Sequence, residues 1–130
     1  MLAFAAVEIT RAESRYLAAI DRLSAAGPES VTGAAIARDL GLSAPTVHEM
    51  LRRLAAEDLV ERRTSSWALT DAGQGAAAAG RARRAVAERF LRDVLHVPEA
   101  SLAEEAERLG AVLSPRLEQR MRAVTGDSPT

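Results

Sequence analysis

Residues 32–70 of this 130-residue chain read TGAAIARDLGLSAPTVHEMLRRLAAEDLVERRTSSWALT. At the start of the stretch, the hydroxyl of Thr32 can accept from the free amides of a first helical turn, as an N-cap residue does. Ile36 and Leu40 lie four residues apart and therefore share one face of a helix. Gly41 follows them, where the left-handed residue that ends a helix favours glycine. This part of the sequence predicts a short helix that ends in a glycine turn.

A second helix is predicted directly after the turn. Ser43 is its N-cap, and Pro45 lies in the first turn, where the missing amide hydrogen costs nothing. Apolar residues then recur at helical spacing on one face: Val47, Leu51 and Leu54. The other face carries polar and charged residues: Thr46, His48, Glu49, Arg52 and Arg53. A helix with small, polar residues at its start and a charged outer face suits the major groove of DNA.

A β-hairpin is predicted after the second helix. Leu59–Arg63 and Trp67–Thr70 have the composition of strands, and Thr64–Ser66 is a polar loop of hairpin length. Helix, turn, helix and hairpin in this order make a winged helix-turn-helix, so transcriptional regulation is the leading hypothesis. The hairpin arginines and serines would contact DNA phosphates. The predicted DNA-contacting residues are Thr32, Ser43, Pro45, Thr46, His48, Glu49, Arg52, Arg53, Arg62, Arg63, Ser65 and Ser66.

Glu49 is an unusual residue on a surface that would face DNA. A carboxylate can accept from the N4 amino group of cytosine, but phosphate repels it. Arg52 and Arg53 follow it by three and four residues, which is the spacing of helical ion pairs. We therefore predict that Glu49 is an internal partner of one of these arginines.

The remaining sequence predicts helices over residues of about 9–25, 71–95 and 102–110, the last capped by Ser101, and from Ser114-Pro115 onward. Winged-helix regulators usually bind two half-sites about one DNA turn apart, so the helices after the hairpin are interpreted as a layer that forms a homodimer. The expected fold is mainly α with a small β-hairpin. It comprises a winged helix-turn-helix DNA-binding domain at 1–72, a helical dimerisation domain at 73–125 and a flexible tail at 126–130.

Composition argues against several classes of protein. There is no cysteine, so neither disulfides nor thiolate metal sites can form. The first eight residues lack the basic start of a signal peptide, and no segment is apolar enough to span a membrane, so a cytoplasmic location is expected. The two histidines are isolated and no nucleophile–base pair is present, so an enzyme is not expected. The net charge of −1 gives no support to a non-specific DNA binder.

A longer set of residues extends the pattern from about Glu13 to Arg122. They are Ser14–Leu17, Ile20, Ile36, Ala37, Leu40–Val47, Met50, Leu51, Leu59, Val60, Leu69, Thr70, Gly73, Ala87–Leu91, Glu105, Ala106, Leu113, Ser114 and Leu117. In their order and spacing the chain resembles the family of the diphtheria toxin repressor and the manganese transport regulators. The resemblance implies a repressor that binds double-stranded DNA as a homodimer. The chain is expected to be of the two-domain manganese-regulator type, without the SH3-like domain of larger members.

The resemblance also implies a metal switch, because the family senses Fe²⁺ or Mn²⁺ with ligands from its first helix, its long fourth helix and the helix after it. Those ions need several oxygen or imidazole ligands that converge on one point. Glycine and alanine supply none, and arginine places positive charge where the cation would lie. Of the corresponding positions only Glu88 and Glu107 keep ligand chemistry, so no metal cofactor is expected at the family site. The positions are Arg15, Ala18, Arg84, Glu88, Ala103, Glu107, Gly110 and Ala111, and the resemblance places a glutamate at position 110 and a histidine at position 111.

Arg15 and Arg84 suggest a replacement for the metal. Our hypothesis is that their charges pair with Glu88 or Glu107 and so hold the first helix against the dimerisation layer. The alternative is that both arginines are solvated charges on helix faces, since surface pairs contribute little. A relocated or reduced Mn or Fe site also stays open, with His96 and Glu99, or Glu104 and Glu107, as its ligands.

Three functions are compatible with these patterns. The first is a dimeric DNA-binding repressor without the usual metal switch, or with a metal response through a relocated site. The second is a winged helix that makes protein–protein contacts and has lost DNA binding, which the near-neutral charge would allow. The third is a regulator with a small-molecule pocket between its domains. The first, without the metal switch, is our prediction.

Overall fold

The computed structural model describes residues 9–126, which form six α-helices and one β-hairpin. The predicted fold, a mainly α winged helix-turn-helix with a helical domain, is confirmed. The interpretations of the first eight residues and of the tail beyond Gly126 lie outside the described residues. The elements are α1 (Arg11–Ser24), a 3-10 turn (Pro28–Ser30), α2 (Gly33–Leu40), α3 (Ala44–Ala56), β1 (Val60–Arg62), β2 (Trp67–Leu69), α4 (Asp71–Asp93), α5 (Glu99–Val112) and α6 (Pro115–Val124).

The chain divides into two compact units, Met1–Ala77 (unit 1) and Ala78–Thr130 (unit 2). The division falls inside α4, so this helix begins in unit 1 and ends in unit 2. The domain limits expected from the sequence, after residues 72 and 125, remain predictions. Within residues 9–126, no helix combines the length and the hydropathy of a membrane-spanning segment.

A capping box starts α1. The N–H of Glu13 donates to Thr10 Oγ1, and the N–H of Thr10 donates to Glu13 Oε1, both at 3.0 Å. These reciprocal bonds satisfy amides that have no partner inside the helix. The helix then buries Tyr16, Leu17 and Ile20 in the core of unit 1.

The caps predicted for the helix-turn-helix are confirmed. Thr32 Oγ1 accepts from the N–H of Ala35 at 3.0 Å, and Ser43 Oγ accepts from the N–H of Thr46 at 3.3 Å. Gly41 ends α2 with a φ of +68°, the left-handed conformation expected of it. The apolar stripes of both helices are buried in the core of unit 1, with Ile36, Val47, Leu51 and Leu54.

The hairpin is shorter than predicted. Its strands pair antiparallel, beginning with Val60 opposite Leu69. Leu59 lies outside the strand, because its N–H still donates to a carbonyl of α3 at 2.9 Å. Arg63 also lies outside it, because its N–H donates to the carbonyl of Ser66 at 2.8 Å and closes the loop.

The start of α4 is packed tightly against the end of the α3–β1 connection. Thr70 Oγ1 accepts from the N–H of Gly73 at 3.0 Å and donates to the carbonyl of Asp58 at 2.6 Å. Thr70 is therefore the N-cap residue of α4. A Cβ atom at Gly73 would overlap the carbonyl oxygen of Leu59. The approach is so close that only glycine fits.

Unit 2 consists of most of α4 with α5 and α6. The predicted start of α5 is wrong: the helix begins at Glu99, and Ser101 lies inside its first turn with its N–H 2.9 Å from the carbonyl of Pro98. Glu99 lies in the first turn, where the helix dipole favours a negative charge. Helix α6 begins at Pro115, where the sequence predicted its start, and Ser114 is its N-cap. The core of this unit consists of Val86, Ala87, Leu91, Leu102, Ala106, Leu113 and Met121.

Candidate nucleic-acid interface

One side of α3 is exposed while its opposite side is buried in the core of unit 1. Ser43 and Pro45 are also exposed, at the start of the helix. The hydroxyls of Ser43 and Thr46 are 2.8 Å apart there, next to the free amides of the first turn, where a negative partner is favoured. We call the exposed side the reading face, and it consists of Thr46, His48, Glu49, Arg52 and Arg53.

The hairpin adds two exposed arginines to unit 1. The guanidinium of Arg62 lies 5.5 Å from the centre of the Trp67 ring, a cation–π contact. Arg63 Nη2 lies 3.1 Å from Glu61 Oε1, and both of these side chains are more than half exposed. Exposed ion pairs contribute little stability, so Arg63 can exchange its partner for a phosphate at little cost.

The remaining predicted contact residues, Ser65, Ser66 and Thr32, differ in how exposed their side chains are. Ser65 is exposed in the hairpin loop, whereas Ser66 is only 7% exposed, so its side chain is not presented to a partner. Thr32 is half-buried and its hydroxyl is engaged as the cap of α2. The structure thus gathers most of the predicted residues on α3 and the hairpin and separates Thr32 and Ser66 from them.

Glu49 does not form the ion pair predicted for it. Among residues 9–126, neither Arg52 nor Arg53 pairs with its carboxylate. The prediction is wrong because two exposed charges on a helix gain too little from pairing to fix their long side chains. Glu49 instead helps to line a cavity of about 250 Å³ that is formed by Tyr16, Thr46, Glu49, Met50 and Arg53.

Two carboxyl groups interact between the start of α1 and the end of α3, and the sequence did not reveal this. Glu13, in the first turn of α1, is 1% exposed, and Glu57 is the C-cap residue of α3. Within the described part of the chain, the buried atoms Glu13 Oε2 and Glu57 Oε1 have no hydrogen-bond partner. The spacing of Thr10 and Glu13 could have revealed the capping box, but no pattern points to Glu57.

The pKa values of Glu13 and Glu57 are shifted in opposite directions. The neighbouring carboxyl group of Glu13 and burial raise the pKa of Glu57, against the opposing charge of Arg53. Burial raises the pKa of Glu13, but its interaction with Glu57, the hydrogen bond from Thr10 and the charge of Arg53 outweigh burial and lower it.

The family metal positions in unit 2 carry few side chains that could bind a metal ion. A Cβ atom at Gly110 of α5 would lie 3.0 Å from Cγ and 3.1 Å from Cα of Arg84 in α4, so the two helices meet at this point. The carbonyl of Gly110 accepts from Arg83 Nε at 3.3 Å. Glu88 is paired with Arg92 at 2.6 Å. The remaining positions are the exposed Ala103 and Glu107 and the half-buried Ala111.

The positions in α1 add no ligand. Arg15 is exposed and Ala18 is half-buried, and neither side chain can coordinate Mn²⁺ or Fe²⁺. No three His, Cys, Asp or Glu residues between 9 and 126 are grouped so that they could hold an ion. Glu104, a ligand of one alternative site, is paired with Arg108 at 2.9 Å. The residues present therefore do not fit the metal that the family implies.

Unit 2 also has an apolar surface. Among the described residues, the large apolar side chains that are most exposed belong to this unit: Val94, Leu95, Val112, Leu117 and Val124. Two of them line a groove of about 570 Å³, called the apolar groove here, together with buried core residues. Its lining is Phe90, Leu91, Leu95, Val97, Glu105, Arg108, Leu109, Leu117 and Met121.

Two family models match most of the chain between them. The model of the metal binding and dimerisation domain of iron dependent repressors matches residues 70–129, and that of the IclR helix-turn-helix domain matches residues 14–64. The structure is also similar to a manganese-dependent transcriptional repressor in complex with manganese, with 32% identity and a TM-score of 0.76 over 88% of this chain and 53% of that one. The chain belongs to the family of iron- and manganese-dependent repressors.

Two further solved structures are similar to this chain. The manganese regulator SloR is 27% identical, with a TM-score of 0.74 over 94% of this chain and 56% of its own. A hypothetical protein from Sulfolobus solfataricus, 19% identical, shows the same fold with a TM-score of 0.74 over 92% of this chain and 91% of its own. The chain spans about half the length of the manganese repressors that it matches. Comparison with curated proteins gives no match.

Members of the family and the similar solved structures of known class are transcriptional regulators, not enzymes. The fold and the domains of this chain match those of metal-dependent transcriptional repressors.

Proposed function

We propose that this repressor-family member binds double-stranded DNA as a homodimer and represses transcription without metal at the family positions. The observation that carries the proposal is the reading face, a polar and positively charged side of α3 that is exposed although the opposite side is buried. Its place in a winged helix-turn-helix of a repressor family supports DNA as the partner.

The parts of the interface have different roles in this proposal. The reading face enters the major groove, where Arg52 can donate two hydrogen bonds to guanine and Glu49 can accept from cytosine N4. Arg62 and Arg63 contact phosphates, which fixes the orientation of the protein without selecting a sequence. His48 is exposed on the reading face and can donate to a base or a phosphate.

We expect the purified chain to bind duplex DNA with a steep dependence on salt and with no loss of affinity in a metal chelator. Replacing both Arg62 and Arg63 with alanine should weaken binding by about tenfold or more and reduce the slope of log affinity against log salt by about two. Fluorescence anisotropy with a mixed-sequence duplex at several salt concentrations measures both quantities.

Arg120→Ala is the matched control, because Arg120 is an exposed arginine of unit 2. It should leave the salt slope unchanged. Loss of DNA binding in chelator, restored by Mn²⁺, would contradict the metal-independent part of the proposal. Absence of salt-dependent binding would instead favour the winged helix as a protein-interaction module.

The contact between α4 and α5 supports independence from metal. Gly110 and Ala111 offer no ligating atoms in their side chains, and the backbone of Arg84 occupies the space next to Gly110. The charges of Arg15 and Arg84 are proposed to substitute for the cation, as the sequence suggested.

The apolar groove of unit 2 is proposed to be the homodimer surface. The model of a dimerisation domain matches the same part of the chain, and the groove presents the exposed apolar side chains of Leu95 and Leu117. Burying apolar area gives about 25 cal/mol for each Å² removed from water, which favours a second copy of the same surface as the partner.

Leu117→Glu is expected to convert the dimer to monomer at micromolar concentration, because a carboxylate would have to be buried in the apolar groove. Ala123→Glu places the same charge on an exposed position of α6 that is not part of the groove, and should leave the dimer intact. Sedimentation equilibrium gives the mass of each variant. A dimer that survives Leu117→Glu would place the interface elsewhere.

A further inference from the structure

We propose that Trp67 is a positioning residue for DNA binding, because its ring holds the guanidinium group of Arg62 ready to meet a phosphate. The inference rests on the proposed function and adds a residue that does not itself touch DNA. It depends on three features of the hairpin: the anchoring of Trp67 in the core of unit 1, the contact between the two side chains, and the free hydrogen-bond donors of Arg62.

Trp67 is held in place by its backbone and by its side chain. The residue is 8% exposed and belongs to the core of unit 1. Its backbone N–H donates to the carbonyl of Val31 at 2.8 Å, which ties β2 to the segment before α2. Because the ring is fixed in this way, it can restrict the motion of an exposed side chain that contacts it.

Arg62 is the side chain in contact with the ring. It lies directly opposite Trp67 in the antiparallel pair, and residues in that relation have side chains on the same face of a sheet. The guanidinium carbon lies 5.5 Å from the centre of the Trp67 ring, within the range of a cation–π contact. This contact uses the electrons of the ring and none of the five N–H donors of the guanidinium group.

The donors of Arg62 are therefore available to a phosphate. Within residues 9–126, its exposed side chain forms no ion pair with a carboxylate. Arg63 differs, because its Nη2 lies 3.1 Å from Glu61 Oε1. The hairpin thus holds one arginine by a carboxylate and the other by an aromatic ring, and only the first of these contacts competes with a phosphate.

An arginine that is held in advance binds at a lower cost. A long side chain that is free in solution loses rotamer freedom when it contacts a partner, and a side chain that is already restricted loses less. For one such side chain, the loss corresponds to about twofold to tenfold in affinity. Trp67 therefore raises the affinity for DNA through Arg62.

The test is a double-mutant cycle on the DNA affinity of the full chain, measured by fluorescence anisotropy with a mixed-sequence duplex at one salt concentration. Trp67→Leu should weaken binding by about twofold to tenfold. In the Arg62→Ala background the same substitution should have no further effect, because no guanidinium group is left to position. The Arg63→Ala background is the matched control. Trp67→Leu should keep its full effect there, because Arg63 is held by Glu61 and not by the ring.

A purely structural role of Trp67 gives a different result. Loss of the ring would then disturb the hairpin and weaken binding equally in all three backgrounds, which would overturn this inference and leave the proposed function intact. Unchanged affinity of Trp67→Leu in the wild-type background would overturn it as well. Absence of salt-dependent binding by the wild type would overturn the proposed function and this inference with it.

Two further variants separate positioning from folding. Each protein is measured at a temperature where its helical circular dichroism equals that of the wild type, and Trp67→Met, which also lacks a ring, takes the place of Trp67→Leu if the latter does not fold. Trp67→Phe keeps an aromatic ring and should lose less affinity than Trp67→Leu. Equal losses in the phenylalanine and leucine variants would contradict a role of the ring.

Fluorescence without DNA gives a second readout of the contact. Trp67 is the only tryptophan of the chain, so its emission reports on the surroundings of this one ring. Arg62→Ala should change the emission spectrum, because it removes a charge that interacts with the electrons of the ring. An unchanged spectrum would show that the two side chains are not in contact in solution, and would overturn the inference.

Discussion

Replacing Gly73 with alanine is expected to lower the free energy of unfolding by about 3 kcal/mol, a large part of the stability of an ordinary small domain. The added Cβ would overlap the carbonyl oxygen of Leu59 and lie 3.0 Å from its carbonyl carbon. Leu59 cannot move aside, because its N–H bonds to the carbonyl of Leu54 at 2.9 Å and its own carbonyl accepts from the N–H of Thr70 at 3.1 Å. The start of α4 must shift instead.

Gly75→Ala gives the matched control for this prediction. It lies two residues further along the same helix, and a Cβ there would meet nothing within 4 Å. Alanine at position 75 should therefore stabilise the protein by about 0.5–1 kcal/mol, because glycine is a weak helix former. Urea unfolding of the three proteins should show changes of opposite sign. Equal stability of Gly73→Ala and wild type would mean that α4 moves away from Leu59 without cost.

The sequence predicted those parts of the fold that depend on residues within one helical turn. Thr32, Ser43 and Ser114 are caps because their hydroxyls reach amides three residues ahead, and this geometry depends little on the rest of the chain. The start of α5 was wrong because Ser101 and Glu99 both favour a helix start and lie only two residues apart. A choice between them depends on packing, which the pattern does not contain.

Close approaches between distant segments could not be predicted. In the sequence, Gly73 and Gly110 look only like weak helix formers, and their neighbours Leu59 and Arg84 are known only from the folded chain. The family metal positions are a second example of a contact that the sequence does not reveal. The resemblance indicated which ligands are replaced, but not that α4 fills the space beside residue 110.

For the candidate interface, the sequence predicted which side of α3 is exposed but not how the charged residues interact. Helical periodicity alone separates the exposed side of α3 from the buried side, so the reading face could be found. The predicted ion pair of Glu49 was wrong because exposed charged side chains can adopt many conformations of similar energy. The interaction between Glu13 and Glu57 was missed because these residues lie at the ends of two helices that no sequence pattern relates.

Restoring the carboxylate that the resemblance places at position 110 is expected to destabilise the protein rather than to restore a metal switch. In Gly110→Glu the new Cβ would lie 3.0–3.1 Å from Cγ and Cα of Arg84, atoms in the middle of a helix that can yield only if α4 and α5 separate. Position 110 is also buried, so the charged end of the side chain would need a path to water. We expect a loss of about 2–4 kcal/mol in the free energy of unfolding.

The decisive experiment introduces the second missing ligand into the protein and adds Mn²⁺. Gly110→Glu combined with Ala111→His supplies the side chains that the family carries, and a functioning site with Mn²⁺ at about 100 times its dissociation constant would return about 2.7 kcal/mol. We expect no such gain, because Arg15 and Arg84 still occupy two ligand positions with positive charge. Ala103→Glu is the control, since it adds the same carboxylate to an exposed position of α5 and should cost little. A double variant whose unfolding midpoint rises on addition of Mn²⁺ would show that these positions still converge on one point. In that case neither the arginines nor the packing of α4 on α5 would prevent metal binding.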